Sequence, residues 1–281
     1  MQNYYQISIS NADIIPTLAV DLLSAQYPEI EGYEVTDDYL IAYLPEAAMS
    51  EGLITKVGQS LGIDATLIKS EPLPYKNYNA EWESNFQPIV IHDFVAIRAE
   101  FHDEDFDCDH TITIRPKMAF GTGHHATTYM MLDTMRTLDF KEKSVFDFGA
   151  GTGILSVMAS MLGAKSIVAN DIQKEAMDNI REHYLINTCQ ASITILHGGL
   201  SVVHPQKFDI ILANINTVVL SECASNLRKL IAEDGTVLLS GILKEKEERI
   251  KVLYEDSGFG VQERKQRGDW VCMRLSPIIN D

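Results

Sequence analysis

From residue 144 onward, short apolar runs alternate with stretches in which apolar residues recur at helical spacing. This alternation is typical of an α/β fold built on a mostly parallel, doubly wound sheet. Strands are predicted at 145–148, 167–170, 192–196, 208–213 and 236–240, and helices lie between them, for example at 175–186 and 218–231. Two strand-like runs at 260–264 and 270–275, separated by a polar turn, predict a C-terminal hairpin.

The first 70 residues follow a different order. Strand-like alternation at 5–9 precedes helical spacing from Ile14 to Leu22, and the pattern then predicts a strand at 39–44, a helix at 47–61 and a strand at 65–68. The order resembles a βαββαβ, ferredoxin-like unit. Prolines and polar residues at 71–79 are typical of a linker. We therefore expect a ferredoxin-like domain at 1–70, a linker at 71–90 and a larger domain at 91–281.

An acidic stretch at 102–110 lies between strand candidates at 94–100 and 111–114. A calcium loop of the EF-hand type needs glycine at its sixth position and glutamate at its twelfth. Counted from Asp103, these positions hold Cys108 and Ile114, and the register that starts at Asp105 fails as well. We interpret the stretch as a solvated hairpin tip rather than a metal site.

A glycine-rich loop at 147–153 reads Asp-Phe-Gly-Ala-Gly-Thr-Gly and follows the strand predicted at 145–148. A dinucleotide loop of the form G-x-G-x-x-G would need glycine where this chain has Ile154 or Ser156. The remaining pattern, Asp-x-Gly-x-Gly-x-Gly, is typical of loops that bind S-adenosylmethionine, and Asp171 at the next strand end is placed to bind ribose hydroxyls. Alternatively, glycine turns and a strand-end aspartate also occur in α/β proteins that bind nothing.

Two further elements point to the same sheet edge. Asn214 ends the fourth strand and is a candidate active-site residue, and the alternative is that it only forms a strand-end turn. Enzymes that methylate the amino groups of bases or amides commonly have Pro-Pro-aromatic directly after the residue at this position. In this chain Ile215 follows Asn214, which disfavours such substrates. The run 115–128 leads a glycine-rich turn into an apolar helix, so Thr127 and Thr128 are placed to face an anionic group, or only to cap the helix.

Composition narrows the class of partner. The 281 residues include 23 basic and 40 acidic ones, a formal net charge of −17, which disfavours nucleic acid and favours a basic protein or a small cation. The four cysteines include no C-x-x-C pair, and the adjacent His124 and His125 rarely bind one ion, so no metal is expected. Without a long apolar run or a signal-peptide pattern, we expect a soluble, intracellular protein.

Taken together, the motifs at 119–128, 147–151, 213–215 and 239–243 resemble the ribosomal protein L-11 methyltransferase (PrmA) family, over essentially the whole chain. The resemblance implies a Rossmann-like class I methyltransferase domain and an N-terminal domain that recognises the ribosomal protein. It implies S-adenosyl-L-methionine as cofactor, S-adenosyl-L-homocysteine as product, no metal, and methylation of lysines and the α-amine. The predicted cofactor-binding residues are Phe120, Thr127, Thr128, Gly149, Gly151, Asp171 and Asn214, and Asn214 is also the predicted catalytic residue.

The expected partner is ribosomal protein L-11, free or on the large subunit, in the cytoplasm, without sequence-specific nucleic acid or membrane binding. Three positions depart from the usual family pattern: His124 replaces threonine, Ala126 replaces proline and Asn216 replaces leucine. None of them removes a predicted cofactor ligand. Two alternatives remain, a small-molecule N-methyltransferase and a catalytically silent S-adenosylmethionine-binding protein associated with the ribosome.

Overall fold

The computed structural model describes residues 4–50, 52–73, 87–115 and 124–278. The chain forms two compact units, Met1–Asn85 and Phe86–Asp281. Most of the expected linker, residues 74–86, lies outside the described residues, as does Phe120. Strand β4 of the first unit continues to Leu73, and the second unit has its first strand from Ile89.

The first unit is a four-stranded antiparallel sheet with two helices. Its order in the sheet is β2-β3-β1-β4, which confirms the ferredoxin-like arrangement. Apolar side chains from both helices and from the sheet share one core, to which Ile9, Leu23 and Val57 belong. The elements are β1 Tyr4–Ser10, α1 Pro16–Gln26, β2 Gly32–Val35, β3 Tyr39–Pro45, α2 Leu53–Leu61 and β4 Ile68–Leu73.

Two predicted boundaries in this unit are wrong. The helix predicted at 47–61 is divided, because a 3₁₀ turn at Glu46–Ala48 ends before α2 begins at Leu53. The strand predicted at 65–68 begins only at Ile68, because Ala65–Leu67 is another 3₁₀ turn. The Asp64 carboxylate accepts a hydrogen bond from the Thr66 backbone N–H at 2.9 Å and so stabilises the turn against an extended conformation.

The second unit begins with a small sheet of three strands, β5 Ile89–Ile91, β6 Val95–Ala99 and β7 His110–Ile114. Strands β6 and β7 are parallel, so the prediction of a hairpin tip at 102–110 is wrong. The intervening segment instead returns across the end of β6, where the Arg98 guanidinium donates to the carbonyls of His102 at 3.3 Å and Glu104 at 2.9 Å. These bonds hold a backbone that makes no ladder with β6.

A seven-stranded sheet follows, in the order β10-β9-β8-β11-β12-β14-β13. The first five strands are parallel, and β14 pairs antiparallel with both β12 and β13, which confirms the Rossmann-like sheet with a C-terminal hairpin. The chain runs outward from β8 to β10 and then returns to the other side of β8, so the topological switch point lies beside β8. The strands are β8 Ser144–Phe148, β9 Ser166–Asp171, β10 Ser192–His197, β11 Phe208–Asn214, β12 Ile231–Leu243, β13 Phe259–Arg267 and β14 Trp270–Pro277.

Helices cover both faces of this sheet and enclose two main apolar cores. One core includes Met131 and Leu155, and the other includes a stacked aromatic pair, Phe146 and Phe208, with ring centroids 5.2 Å apart. Burial on both faces explains why the central strands are almost continuously apolar in sequence. The helices are α3 Ala126–Met135, α4 Ile154–Met161, α5 Lys174–Ile186, α6 Thr217–Leu230 and α7 Glu247–Asp256.

A single side chain serves as a hydrogen-bonding partner for the edge of β7. The Asn187 carboxamide accepts from the Thr113 N–H at 2.7 Å and donates to the Thr113 carbonyl at 2.7 Å, as a neighbouring strand would. Asn187 follows the end of α5 and also donates to the His183 carbonyl at 2.8 Å. The end of α5 is therefore fixed to β7.

Asn187→Ala is expected to lower the free energy of unfolding of the second unit by about 2 kcal/mol, because both half-buried polar groups of Thr113 lose their partner. Chemical denaturation followed by fluorescence measures the change. The control is Gln190→Ala, which removes an exposed side-chain bond to the Thr188 carbonyl and should have a much smaller effect. Equal effects of the two substitutions would contradict the role assigned to Asn187.

Candidate active site at the carboxyl edge of the sheet

A cavity of about 1010 Å³ lies at the carboxyl edge of the large sheet, beside the switch point. It is lined by the ends of β8, β9 and β11 and by the first turns of α3, α5 and α6. The predicted site residues that line it are Thr127, Thr128, Gly149, Gly151, Asp171 and Asn214.

The three alternate glycines between β8 and α4 all adopt left-handed backbone conformations. Their φ angles are +72° at Gly149, +55° at Gly151 and +76° at Gly153. A Cβ at Gly149 would also collide with the Ile215 side chain, and one at Gly153 would lie 3.2 Å from the Ile180 Cα. Only glycine fits this path without strain, so the sequence pattern has a backbone cause.

The end of β9 holds the glycine loop in place. The Asn170 carbonyl accepts hydrogen bonds from the N–H groups of Gly149 and Ala150, each at 2.9 Å. Its side chain, which is 1% exposed, donates to the Gly198 carbonyl at 2.7 Å. Asn170 thus ties β8, β9 and the turn after β10 together at the cavity, a role that its position before Asp171 did not reveal in the sequence.

Both oxygens of the Asp171 carboxylate accept backbone hydrogen bonds at 2.9 Å. Oδ2 accepts from the Gly151 N–H and Oδ1 accepts from the Gln173 N–H. The carboxylate is therefore fixed in orientation within the cavity, and each oxygen retains capacity for a further donor.

Beneath the loop, the Asp147 carboxyl is completely buried and accepts a hydrogen bond from the Ser156 hydroxyl at 2.6 Å. Desolvation raises the pKa of Asp147 to about 6, and it outweighs the hydrogen bonds from Ser156, which lower it. The nearby Asp171 charge adds to the increase. Asp147 is thus an internal support of the loop and does not line the cavity.

Asn214 and Thr128 meet at the cavity wall. The Asn214 Nδ2 group donates to the Thr128 hydroxyl oxygen at 3.3 Å, across elements that are 86 residues apart in sequence. Neighbouring Thr127 is also buried, and its hydroxyl lies 2.8 Å from the His125 Nδ1 atom. With Nδ2 bonded to Thr128, the Oδ1 atom is the acceptor of this carboxamide.

Two of the residues that depart from the usual family pattern, Ala126 and Asn216, lie at helix starts. Ala126 is the first residue of α3, after His125 as N-cap, and this is the position where proline is favoured. Asn216 is the N-cap of α6, and its side-chain oxygen accepts from the N–H groups of Val218 and Val219 at 3.1 Å each. His124 lies close to the Gln87 carbonyl, with its Nε2 atom at 3.0 Å.

Several cavity residues were not identified from the sequence. Ile215 and Trp270 supply apolar wall, and Lys246 supplies a cation. Trp270 lies in edge-to-face contact with His125, with ring centroids 4.7 Å apart. The order of the strands in the sheet brings these residues together, and no local sequence motif reports it.

Within the described parts of the chain, no three His, Cys, Asp or Glu side chains are grouped as metal ligands. The same residues include no helix that combines the length and hydropathy needed to cross a membrane.

A family model, two relatives and one solved structure share a name. A family model described as ribosomal protein L11 methyltransferase (PrmA) matches residues 8–277. Proteins with that name are 36% identical in Porphyromonas gingivalis, over 92% of this chain and 91% of that protein, and 30% identical in Phocaeicola vulgatus, over 94% and 92%. The crystal structure of a ribosomal protein L11 methylase from Lactobacillus delbrueckii subsp. bulgaricus is similar with a TM-score of 0.65 and 30% identity, over 69% of this chain and all of that one.

Asp147→Asn is expected to stabilise the protein more at pH 7 than at pH 5. Because the pKa of about 6 in the folded state lies above the ordinary value of 3.8, the folded protein binds this proton more tightly, and its stability falls as pH rises through that range. The substitution removes this loss of stability, so Asp147→Asn should stabilise the protein by about 1 kcal/mol more at pH 7 than at pH 5.

Chemical denaturation of both proteins at the two pH values measures that difference. The carboxamide oxygen that the substitution introduces still accepts the Ser156 hydroxyl, so the comparison isolates the charge. A stability difference that is the same at both pH values would contradict a raised pKa.

Proposed function

The chain belongs to the ribosomal protein L11 methyltransferase (PrmA) family, and from that premise we propose that it transfers methyl groups from S-adenosyl-L-methionine to lysine side chains and the N-terminal α-amine of ribosomal protein L11. The observation that carries the proposal is the convergence of the glycine loop, Asp171 and Asn214 on one cavity at the switch point. The product is S-adenosyl-L-homocysteine, and the reaction requires no metal.

The residues at the cavity fit this cofactor. Alternate glycines without Cβ atoms leave the backbone between Gly149 and Gly153 open to close approach, and a side chain at Gly149 would collide with Ile215. The Asp171 carboxylate would hold the ribose hydroxyls, since its oxygens keep acceptor capacity beyond their backbone partners. When bound, S-adenosylmethionine supplies an activated methyl group on a sulfonium centre.

The acceptor amine must be unprotonated to react. A lysine has an ordinary pKa of about 10.4, and burial lowers it because desolvation disfavours the ammonium form. With its Nδ2 group donating to Thr128, the Asn214 Oδ1 atom accepts a hydrogen bond from the amine and directs the nitrogen lone pair. Positioning and exclusion of water then supply most of the rate, and no dedicated general base is needed.

The protein substrate would contact the first unit, residues 1–85. That unit has thirteen acidic and only three basic residues, so its field attracts a basic protein. The same charge repels a phosphate backbone, which argues against direct sequence-specific nucleic acid binding. We place the reaction in the cytoplasm, on L11 that is free or bound to the large ribosomal subunit.

The experiment that tests the function is mass spectrometry of unmethylated L11 after incubation with this protein and S-adenosylmethionine. We expect mass gains in whole methyl increments on lysines and the N-terminus, and Asn214→Ala should reduce the rate by about tenfold or more. Asn226→Ala removes an exposed asparagine of α6 outside the cavity and should leave the rate unchanged.

No gain on L11, with cofactor binding shown separately, would refute the proposed substrate. Methylation of metabolites instead would establish a small-molecule enzyme, and binding without transfer to any acceptor would establish a silent cofactor-binding protein. An Asn214→Ala protein with undiminished turnover would remove that residue from the mechanism.

Asp171→Ala is expected to weaken S-adenosylmethionine binding by about 10- to 100-fold, because charge-assisted hydrogen bonds are worth about 1.5–3 kcal/mol. Turnover at saturating cofactor should change far less, since the acceptor side of the cavity is untouched. Isothermal titration calorimetry measures the affinity, and Asp178→Ala, whose carboxylate is 80% exposed on α5, is the matched control. Undiminished affinity in Asp171→Ala would exclude the ribose role.

A further inference from the structure

His183 is a buried polar side chain that lies outside the cavity and joins the glycine loop to the end of β7. It belongs to α5 and is 2% exposed. Its Nδ1 atom lies 2.7 Å from the carbonyl oxygen of Thr152, inside the glycine loop. Its Nε2 atom accepts the backbone N–H of Arg115, the residue directly after β7, at 3.0 Å.

These two partners determine the tautomer of the ring. A carbonyl oxygen only accepts, so Nδ1 must carry a proton to bond Thr152, whereas the Arg115 N–H only donates, so Nε2 must be unprotonated to accept it. The Arg115 carbonyl lies 3.3 Å from Nε2 and would serve as a partner only for a doubly protonated ring. The two shorter bonds, to the Thr152 carbonyl and from the Arg115 N–H, require a neutral imidazole with its proton on Nδ1.

The surroundings of His183 are fixed on both sides. Asn187 pairs with Thr113 one turn further along, and the Arg115 guanidinium donates to Glu182 at 2.6 Å and also to Glu100. Such contacts hold the end of β7 against α5. The same helix packs Ile180 under Gly153 and lines the cavity with its first turns.

We propose that His183 is a positioning residue, whose neutral imidazole links the cofactor loop at Thr152 to the end of β7 at Arg115. The bond from Arg115 fixes the ring, and the ring holds the Thr152 carbonyl of the loop that lines the cavity. The inference rests on the proposed role of the glycine loop in cofactor binding.

Two substitutions separate the two ends of the link. His183→Asn keeps a side-chain N–H near the Nδ1 position and so retains the bond to Thr152, but it loses the acceptor for Arg115. His183→Gln keeps an acceptor near the Nε2 position and retains the bond to Arg115, but it loses the donor to Thr152. An adjacent control, Leu185→Gln, changes a side chain that is 78% exposed on the same helix.

For His183→Gln we expect the Kd for S-adenosylmethionine, measured by calorimetry, to rise about tenfold with kcat at saturating cofactor within about threefold, as for one lost buried hydrogen bond. For His183→Asn we expect a smaller rise in Kd, about threefold, because the donor to Thr152 is kept but is no longer fixed by Arg115. The control should match the wild type in Kd and kcat. No rise in Kd in either variant, or a larger rise in His183→Asn than in His183→Gln, would overturn the proposal.

The tautomer itself is tested in the unaltered protein by ¹⁵N NMR of histidine-labelled material, with His183→Gln used to assign the resonance. A proton on Nδ1 at neutral pH is expected, and a proton on Nε2 alone would overturn the link. This measurement and the calorimetry do not depend on L11. If the wild type binds cofactor but does not methylate L11, the proposed substrate fails and the positioning role is still decided by the cofactor Kd and the tautomer.

Discussion

The left-handed backbone of Gly149, Gly151 and Gly153 is the constraint on which the candidate site depends. Three positive φ angles in alternation turn the chain sharply out of β8 into α4, so the loop does not continue the strand ladder. The neighbouring strand compensates for this unusual path, because the Asn170 carbonyl accepts two of the loop's N–H groups. The geometry of the site therefore depends on the backbone conformation of this loop. Strand β9 stabilises that conformation, and the side chains of the site lie around it.

The polar groups that support this loop have unequal energetic costs. Asp171 sits at the edge of the cavity and has a backbone donor on each oxygen, so it is held in place before any ligand arrives. Asp147 lies under the loop, and burial there raises its pKa, so its charge is unfavourable at neutral pH. A carboxylate retained at such a cost is typical of functional sites, where stability is lost for a fixed geometry.

Local sequence was sufficient to predict the elements whose causes are local. The Rossmann-like alternation follows from apolar runs and helical spacing, and the glycine loop and Asp171 follow from backbone requirements at a strand end. The predictions were wrong where a side-chain contact or a contact with a distant segment determines the local structure. Asp64 stabilises a turn in place of the start of β4, and the acidic stretch after β6 leads to a parallel strand because Arg98 holds the returning backbone. Helix α7 was not singled out, since it buries only Ile250 and Tyr254.

The cavity itself could be predicted only in part for the same reason. Thr128 and Asn214 were each identified from their own segments, but their contact depends on the packing of α3 against the end of β11. Neither His183 nor Asn187 was identified from the sequence, because a histidine on a polar helix and an asparagine at its end usually face solvent. In this fold they replace a missing strand beside β7 and satisfy backbone groups that the sheet leaves unpaired. A site assembled from distant segments needs such side-chain links, since the backbone ladders that hold each strand end do not extend from β7 to the cofactor loop.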